Sequence, residues 1–209
     1  MISGELYLAD KVEPQFSPRP SRQLAHRINT CDPGDWRAIT AMEKELFGST
    51  GREVWVQPPV QVDYGFNTHL GENFYANFNT VFLDVAPIRI GDNVKFGPNC
   101  QLITATHPLD AGVRARGLEY GSPITIGDNV WLGAGVIVNP GVTIGDNAII
   151  GSGAVVTKDI PANVIAVGNP ARVLRELTDA DTEHWETKER DYWIAHGTQV
   201  STDNGHIGV

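Results

Sequence analysis

The tetrapeptide Ile-Gly-Asp-Asn occurs three times, at Ile90–Asn93, Ile126–Asn129 and Ile144–Asn147, with a variant at Leu70–Asn73. The last two copies lie 18 residues apart and the first two lie 36 apart, twice that spacing. Within these blocks the period is six. Ile124, Val130, Val136, Val142, Ala148, Ala154 and Ile160 form one series, and Ile88, Val94 and Cys100 form another. Neither an α-helix nor an alternating strand repeats every six residues. A triangular coil does, with six residues on each of three faces. One small or β-branched inward side chain per face fills a narrow prism, and successive turns stack as parallel strands about 4.8 Å apart. The Gly-Asp-Asn segments then fall at corners, where Gly and Asn tolerate positive φ at least cost.

Two departures from the repeat are informative. Val56, Val62, Thr68, Phe74 and Thr80 also step by six, but Ile88 follows Thr80 by eight, so a two-residue bulge is expected at Asp84–Pro87. Thr106–Pro123 carries no hexad and is polar and turn-rich. At 18 residues it leaves the phase unchanged, which makes it a loop thrown out of the solenoid. Loops held on rigid scaffolds are where function concentrates.

The ends read differently. Asp32-Pro33-Gly34-Asp35 suggests a helix start with Asp32 at the N-cap, running to Phe47 with Gly48 as its C-cap. Trp36, Ile39, Met42/Glu43 and Leu46 give that helix an apolar stripe, and a shorter helix is expected over Ser21–Asn29. Both would cap the exposed strand edges at one end of the prism. A further helix is expected from Thr178 to about His196, with Trp185, Tyr192 and Trp193 on its apolar side, then a tail over Thr198–Val209. The organisation is therefore an N-terminal helical segment, 1–53, a hexapeptide-repeat β-helix, 54–170, with the extruded loop 106–123, and a C-terminal helix and tail, 171–209.

Composition sets limits on function. The formal charge of −9 argues against a nucleic-acid partner, which needs a Lys/Arg excess. Two cysteines, Cys31 and Cys100, with no CxxC pair, exclude a disulfide framework and a thiolate zinc site. No window approaches ~18 uninterrupted apolar residues, so no membrane span is expected. Met1–Asp10 lacks the apolar stretch of a secretory signal, and the chain reads as soluble and cytoplasmic.

Of the six histidines only His69 and His107 fall in the coil region, and His107 opens the extruded loop. Imidazole titrates near neutrality and can take a proton from a hydroxyl. Asp84 sits at the phase bulge, a place where side chains are re-aimed, and is read as an acceptor ligand. Lys158, Arg172 and Arg175 gather cations at the far end of an acidic chain, where phosphates would bind.

These features resemble the hexapeptide-repeat acyltransferases over most of the chain. The resemblance implies a left-handed parallel β-helix, a hand that the hexads do not show and that runs against the general preference for right-handed crossovers. Within that family the chain looks most similar to the maltose and galactoside acetyltransferases, and Met1–Tyr7 and Leu83–Ile88 resemble the maltose type more. What that resemblance implies is an O-acetyltransferase that uses acetyl-CoA and no metal. His107 would be the general base, Asp63 and Asn77 would contact a sugar acceptor, and Thr157, Lys158, Arg172 and Arg175 would contact the coenzyme. Ala134 and Ser152 match positions lining the pantetheine slot, and Ala134 departs from relatives with serine there. The family also implies a homotrimer with sites between chains. Competing readings are a drug O-acetyltransferase of the same fold, a serine acetyltransferase and a non-enzymatic binding solenoid. A carbonic-anhydrase-type zinc site needs three histidines, more than the coils supply.

Overall fold

The computed structural model describes residues 4–197 of the 209. The Met1–Ser3 start of the family resemblance and the tail expected over Thr198–Val209 lie outside the described residues. The centre is a three-faced solenoid of parallel strands. Face 1 carries Thr68–Leu70, Ile88–Ile90, Ile124–Ile126 and Thr143–Ile144. Face 2 runs from Val54–Val56 through Phe74–Ala76, Lys95–Phe96, Trp131–Leu132 and Ile149–Ile150 to Val164–Val167. Face 3 carries Val60–Val62, Thr80–Leu83, Gln101–Ile103, Ile137–Val138 and Val155–Val156. Register follows the repeat: Thr125 pairs with Thr143 and Trp131 with Ile149, eighteen residues apart in each case.

Each face buries two side chains per turn rather than the expected one. Ile124 and Ile126, Val130 and Leu132, and Val136 and Val138 are all at most 2% exposed. The two-residue alternation of a strand operates inside each hexad, so inward positions fall alternately two and four apart. Twice the expected apolar surface leaves water in this way, which is why so thin a prism holds together.

The corner between faces 1 and 2 is stitched by side chains. Asn73, Asn93, Asn129, Asn147 and Asn163 all adopt φ between 54° and 59°. Their amides form a continuous column, each Nδ2 donating to the Oδ1 of the next at 2.8–3.1 Å. One residue earlier, Asp128 Oδ1 accepts from the Asp92 backbone N–H at 2.8 Å and Asp146 Oδ1 from that of Asp128 at 2.9 Å. Gly127 is required by close approach, since a Cβ there would lie 2.9 Å from the Asp146 backbone nitrogen.

The first turns are longer than expected. Val54 pairs with Phe74, Val60 with Thr80 and Thr68 with Ile88, twenty residues apart. A second two-residue insertion therefore lies at 63–67, directly below the one at 84–87. The sequence series from Val62 to Thr68 crossed it unnoticed because Val54 and Val56 both point inward, and the period slipped from one inward position to the other. The last turn is short: Ile160 bridges Ile144, sixteen residues back, although it continues the hexad count.

Helices α1 (Arg19–Asn29) and α2 (Trp36–Leu46) close the N-terminal end. Leu24, Ala25 and Ile28 of α1 and Ile39 and Leu46 of α2 join the same core as Val54 and Val60. The N-cap of α2 is Asp35, which accepts from the Ala38 N–H at 3.2 Å, not Asp32. Asp32 instead closes a turn, its backbone oxygen accepting from the Asp35 N–H at 2.9 Å. The C-cap is Phe47, one residue before the expected Gly48. Helix α4 (Asp179–His196) begins where expected, behind an unforeseen strand, Arg172–Glu176, that pairs antiparallel with Val164–Val167. Its apolar side is uncovered in this chain: Trp185 is 69% exposed and no residue of α4 is buried. Among the described residues no helix is long and apolar enough to cross a membrane.

Glu43 of α2 is fully buried. Its Oε1 accepts from the Val56 N–H at 3.1 Å while Oε2 has no partner. Burial pushes its carboxyl up to about 8, against the smaller opposing effect of the Val56 hydrogen bond. The folded chain holds this proton while the unfolded chain releases it near 4.5. Stability is thereby lost as pH rises from about 4.5 to about 8, and the loss levels off above that. Glu43→Gln keeps the acceptor and does not titrate. Urea midpoints of the wild type are expected to fall relative to this variant between those limits. Parallel curves would contradict a buried proton here.

Candidate active site

The corner between faces 3 and 1 departs from the plain hexad on three successive turns, at 63–67, 84–87 and 104–123. These excursions stack. Thr104 ties the upper two together: its Oγ1 donates to the Leu83 carbonyl at 2.7 Å and accepts from the Ala86 N–H at 2.9 Å. The expected loop is an ordered arm. Ala105–Thr106 pairs antiparallel with Leu118–Gly121, and between them Asp110 caps the short helix α3 (Ala111–Ala115). The strand Tyr7–Leu8 adds on the outer side, placing Tyr7 opposite Glu119. At Gly121 a Cβ would lie 2.9 Å from the Ala86 side chain, so only glycine lets the arm rest on the bulge below.

His107 stands at the foot of this arm with its side chain 56% exposed. Its Nε2 lies 3.9 Å from Glu119 Oε2, within ion-pair reach and about 1 Å beyond a hydrogen bond. Burial first, then the charge of the Glu119 it faces, raises the pKa of the Tyr7 hydroxyl above the ordinary phenol range. Beneath them, Asp63 is paired with Arg22 of α1. Tyr64 is likewise raised by burial and then by the Asp63 charge. His107 and Asp63 are thus brought to one corner, together with Glu119, Tyr7 and Arg22, which sequence reasoning missed. Glu119 left one signal, being with Asp110 one of two acids in 106–123. Tyr7 and Arg22 left none, because neither the N-terminal strand nor the docking of α1 on Val60–Val62 was legible.

Asp84 is in the same column but points inward and is fully buried. Oδ1 accepts from the Tyr64 N–H at 2.7 Å and Oδ2 from the Thr68 hydroxyl at 3.0 Å. Burial, only partly offset by these bonds, raises its pKa. It fixes the backbone of the corner that carries Asp63 and Tyr64.

A second column forms at the corner between faces 2 and 3. Asn77, Ala134 and Ser152 lie there on separate turns, and Ser152 Oγ accepts from the Ala134 N–H at 3.1 Å. Asn77 Oδ1 accepts from the Phe78 N–H at 2.8 Å. The turn leading into Arg172 rests above, where the Ala171 N–H donates to the Val155 carbonyl at 2.8 Å. Thr157 and Lys158 lie back at the 3/1 corner, exposed. Arg175 is at the other end of its strand from Arg172 and grips Asp181 of α4 with two bonds of 2.7 Å. Asp181, held far below the usual carboxylate range by Arg175 and then by the Thr178 N–H, also completes the capping box of α4. Among the described residues no group of three His, Cys, Asp or Glu is placed to hold a metal ion.

Residues 123–158 match the bacterial transferase hexapeptide (six repeats) family, and residues 1–51 match the maltose acetyltransferase hexapeptide capping motif. Galactoside O-acetyltransferase of Escherichia coli (strain K12) is 47% identical over 164 residues, covering 78% of this chain and 81% of its own. The crystal structure of a maltose O-acetyltransferase from Clostridium difficile 630 aligns with a TM-score of 0.83 at 47% identity, covering 85% of this chain and 95% of that one. The chain belongs to the hexapeptide-repeat acetyltransferases.

A galactoside acetyltransferase in complex with coenzyme A aligns equally well, with a TM-score of 0.83 at 45% identity over 86% of this chain and 90% of that one. This acetyltransferase is an enzyme, and the binding-solenoid reading is set aside. Its buried Asp84 predicts a separation of roles at the corner. Asp84→Ala strands the Tyr64 N–H and the Thr68 hydroxyl, at a cost of about 2–4 kcal/mol by urea unfolding. Asp63→Asn, partly buried but keeping one acceptor oxygen for Arg22, is expected to cost less, about 1 kcal/mol. Equal losses would contradict the placement of Asp84 inside the prism.

Proposed function

We propose that this acetyltransferase moves the acetyl group of acetyl-CoA to a hydroxyl of a small acceptor, a sugar such as maltose or glucose, as a cytoplasmic enzyme. The observation that carries the reading is the pairing of His107 with Glu119 directly above Asp63. A carboxylate beside one imidazole nitrogen fixes the tautomer and leaves the other nitrogen to accept a proton. Closing 3.9 Å to hydrogen-bond distance is an adjustment that ligand binding commonly produces. Asp63, with two acceptor oxygens, suits a polyhydroxyl ligand. Asp84 supports it from inside the prism.

His107 takes the proton as the acceptor oxygen attacks the thioester carbonyl. The tetrahedral oxyanion is met by a backbone N–H or amide donor, a contact worth about 3 kcal/mol. Asn77 offers one, since its Oδ1 is occupied locally and its Nδ2 is not. The thiolate of coenzyme A then leaves with the proton from the imidazolium. Neither cysteine is needed: Cys100 is buried and its thiol is pushed up to about 11.

Ala134, Ser152 and Arg172 form the coenzyme slot on the 2/3 corner, with Thr157 and Lys158 at the end of the prism. Arg175 reaches a coenzyme phosphate only by exchanging it for Asp181. The base and the slot stand on different corners of one prism, a full face apart. A homotrimer with threefold closure answers this, by setting the 3/1 corner of one protomer against the 2/3 corner of the next.

A drug acceptor such as chloramphenicol fits the same chemistry, so acceptors decide. Thiol release from acetyl-CoA, measured against glucose, maltose, galactosides and chloramphenicol, is expected to be fastest with a sugar. His107→Ala is expected to lower kcat at least 100-fold with an unchanged thermal midpoint, the usual range for a general base. A loss below about tenfold would remove His107 from this role.

A further inference from the structure

The N-terminal strand reaches the chemistry through one atom. Tyr7 stands directly opposite Glu119 in the antiparallel register, which sets the two side chains beside each other, and the Glu119 charge helps raise the pKa of the phenol. Glu119 is the residue whose Oε2 faces His107 Nε2. Tyr7 also senses the charge of Asp63, but Arg22 already takes that carboxylate. That leaves Glu119, the cross-strand neighbour, as the carboxylate the phenolic proton can serve. Burial and the acidic neighbours keep the hydroxyl protonated, so it acts only as a donor towards this carboxylate.

We propose that Tyr7 is a positioning residue for catalysis, fixing the Glu119 carboxylate so that its other oxygen is aimed at the His107 imidazole. This rests on the reading of His107 and Glu119 as the base and its orienting carboxylate. Unheld, a glutamate side chain samples many rotamers on the rim of the arm, and few of them present an oxygen to the ring. A hydrogen bond from a cross-strand neighbour selects one, because opposite residues on an antiparallel pair sit within direct reach. The strand Tyr7–Leu8 belongs to no face of the prism and pairs with the arm alone. Its removal would leave the solenoid core untouched while loosening the residue behind the base. The charge of Asp63 also reaches Tyr7, so the strand lies close to the acceptor-binding corner as well as to the base.

The test is a double-mutant cycle in the full chain, with sugar as acceptor and thiol release as the readout. Tyr7→Phe keeps the ring and removes the proton. It is expected to lower kcat about fivefold, with the KM for acetyl-CoA and the thermal midpoint unchanged. In a Glu119→Gln background the same substitution is expected to have less than about a 1.5-fold effect, because the group it positions is gone. Equal losses in both backgrounds would overturn the proposal and leave Tyr7 a packing residue. If Glu119→Gln alone retains wild-type turnover, the reading of Glu119 as the orienting carboxylate fails and the proposal fails with it, whatever His107→Ala shows. An impaired Glu119→Gln together with an additive Tyr7→Phe sinks the role of Tyr7 alone. Leu8→Ala, which weakens the same strand without touching the hydroxyl, separates strand loss from proton loss. If it matches Tyr7→Phe in kcat and in dependence on Glu119, strand docking rather than the hydroxyl is responsible, and the proposal is overturned.

Discussion

Everything in this molecule depends on the stacking of one turn of chain on the next at strand spacing. Stacking at that distance leaves no room for a side chain where backbones cross at the corners, hence the glycine at 127. It also demands a residue that accepts positive φ and can bond to its copy above and below, hence the column from Asn73 to Asn163. A carboxylate column runs beside it, in which Asp92, Asp128 and Asp146 bond successive backbone N–H groups. The 1/2 corner is thus bonded to itself from turn to turn and uniform. What it provides is a rigid axis against which irregularity elsewhere can be held.

The irregularity is concentrated at the 3/1 corner. Two insertions of two residues and one of eighteen stack there, and each is tied to its neighbour by Thr104, Asp84 and Asn67. Asn67 Nδ2 donates to the Asp84 carbonyl at 2.8 Å. A bulge in a regular ladder re-aims side chains, and three in register build a surface. That surface holds Asp63, His107 and Glu119. The N-terminal strand and α1 close it from outside through Tyr7 and Arg22. Chain from residue 7 to residue 121 therefore converges on one corner, although the core of the solenoid is made from strictly local repeats.

The repeat was legible because a period of six has few physical solutions, and from it followed the prism, its parallel strands and the extruded segment. The insertion at 63–67 was hidden by the two inward positions per face, which let the hexad count slip without leaving its apolar track. Pairing between distant segments was also hidden. Tyr7 against Glu119, Arg22 against Asp63 and the strand Arg172–Glu176 are contacts of tertiary origin, with no local signature. Asp84 was noticed for its position at the bulge, but a bulge turns a side chain inward as readily as outward, and only burial distinguishes the two. His107 was legible because it opens the one stretch that breaks the repeat.

The proposed base and the proposed coenzyme slot stand on different corners of the prism, and in the proposed trimer each site takes its halves from two protomers. Mixing two inactive variants tests this directly. His107→Ala removes the base, and Ser152→Trp fills the slot on the opposite corner. Unfolded and refolded together in equal amounts, they form mixed trimers that each contain one intact site, and about a quarter of wild-type specific activity is predicted to return. Mixed trimers verified by mass spectrometry that remain inactive would contradict the shared site.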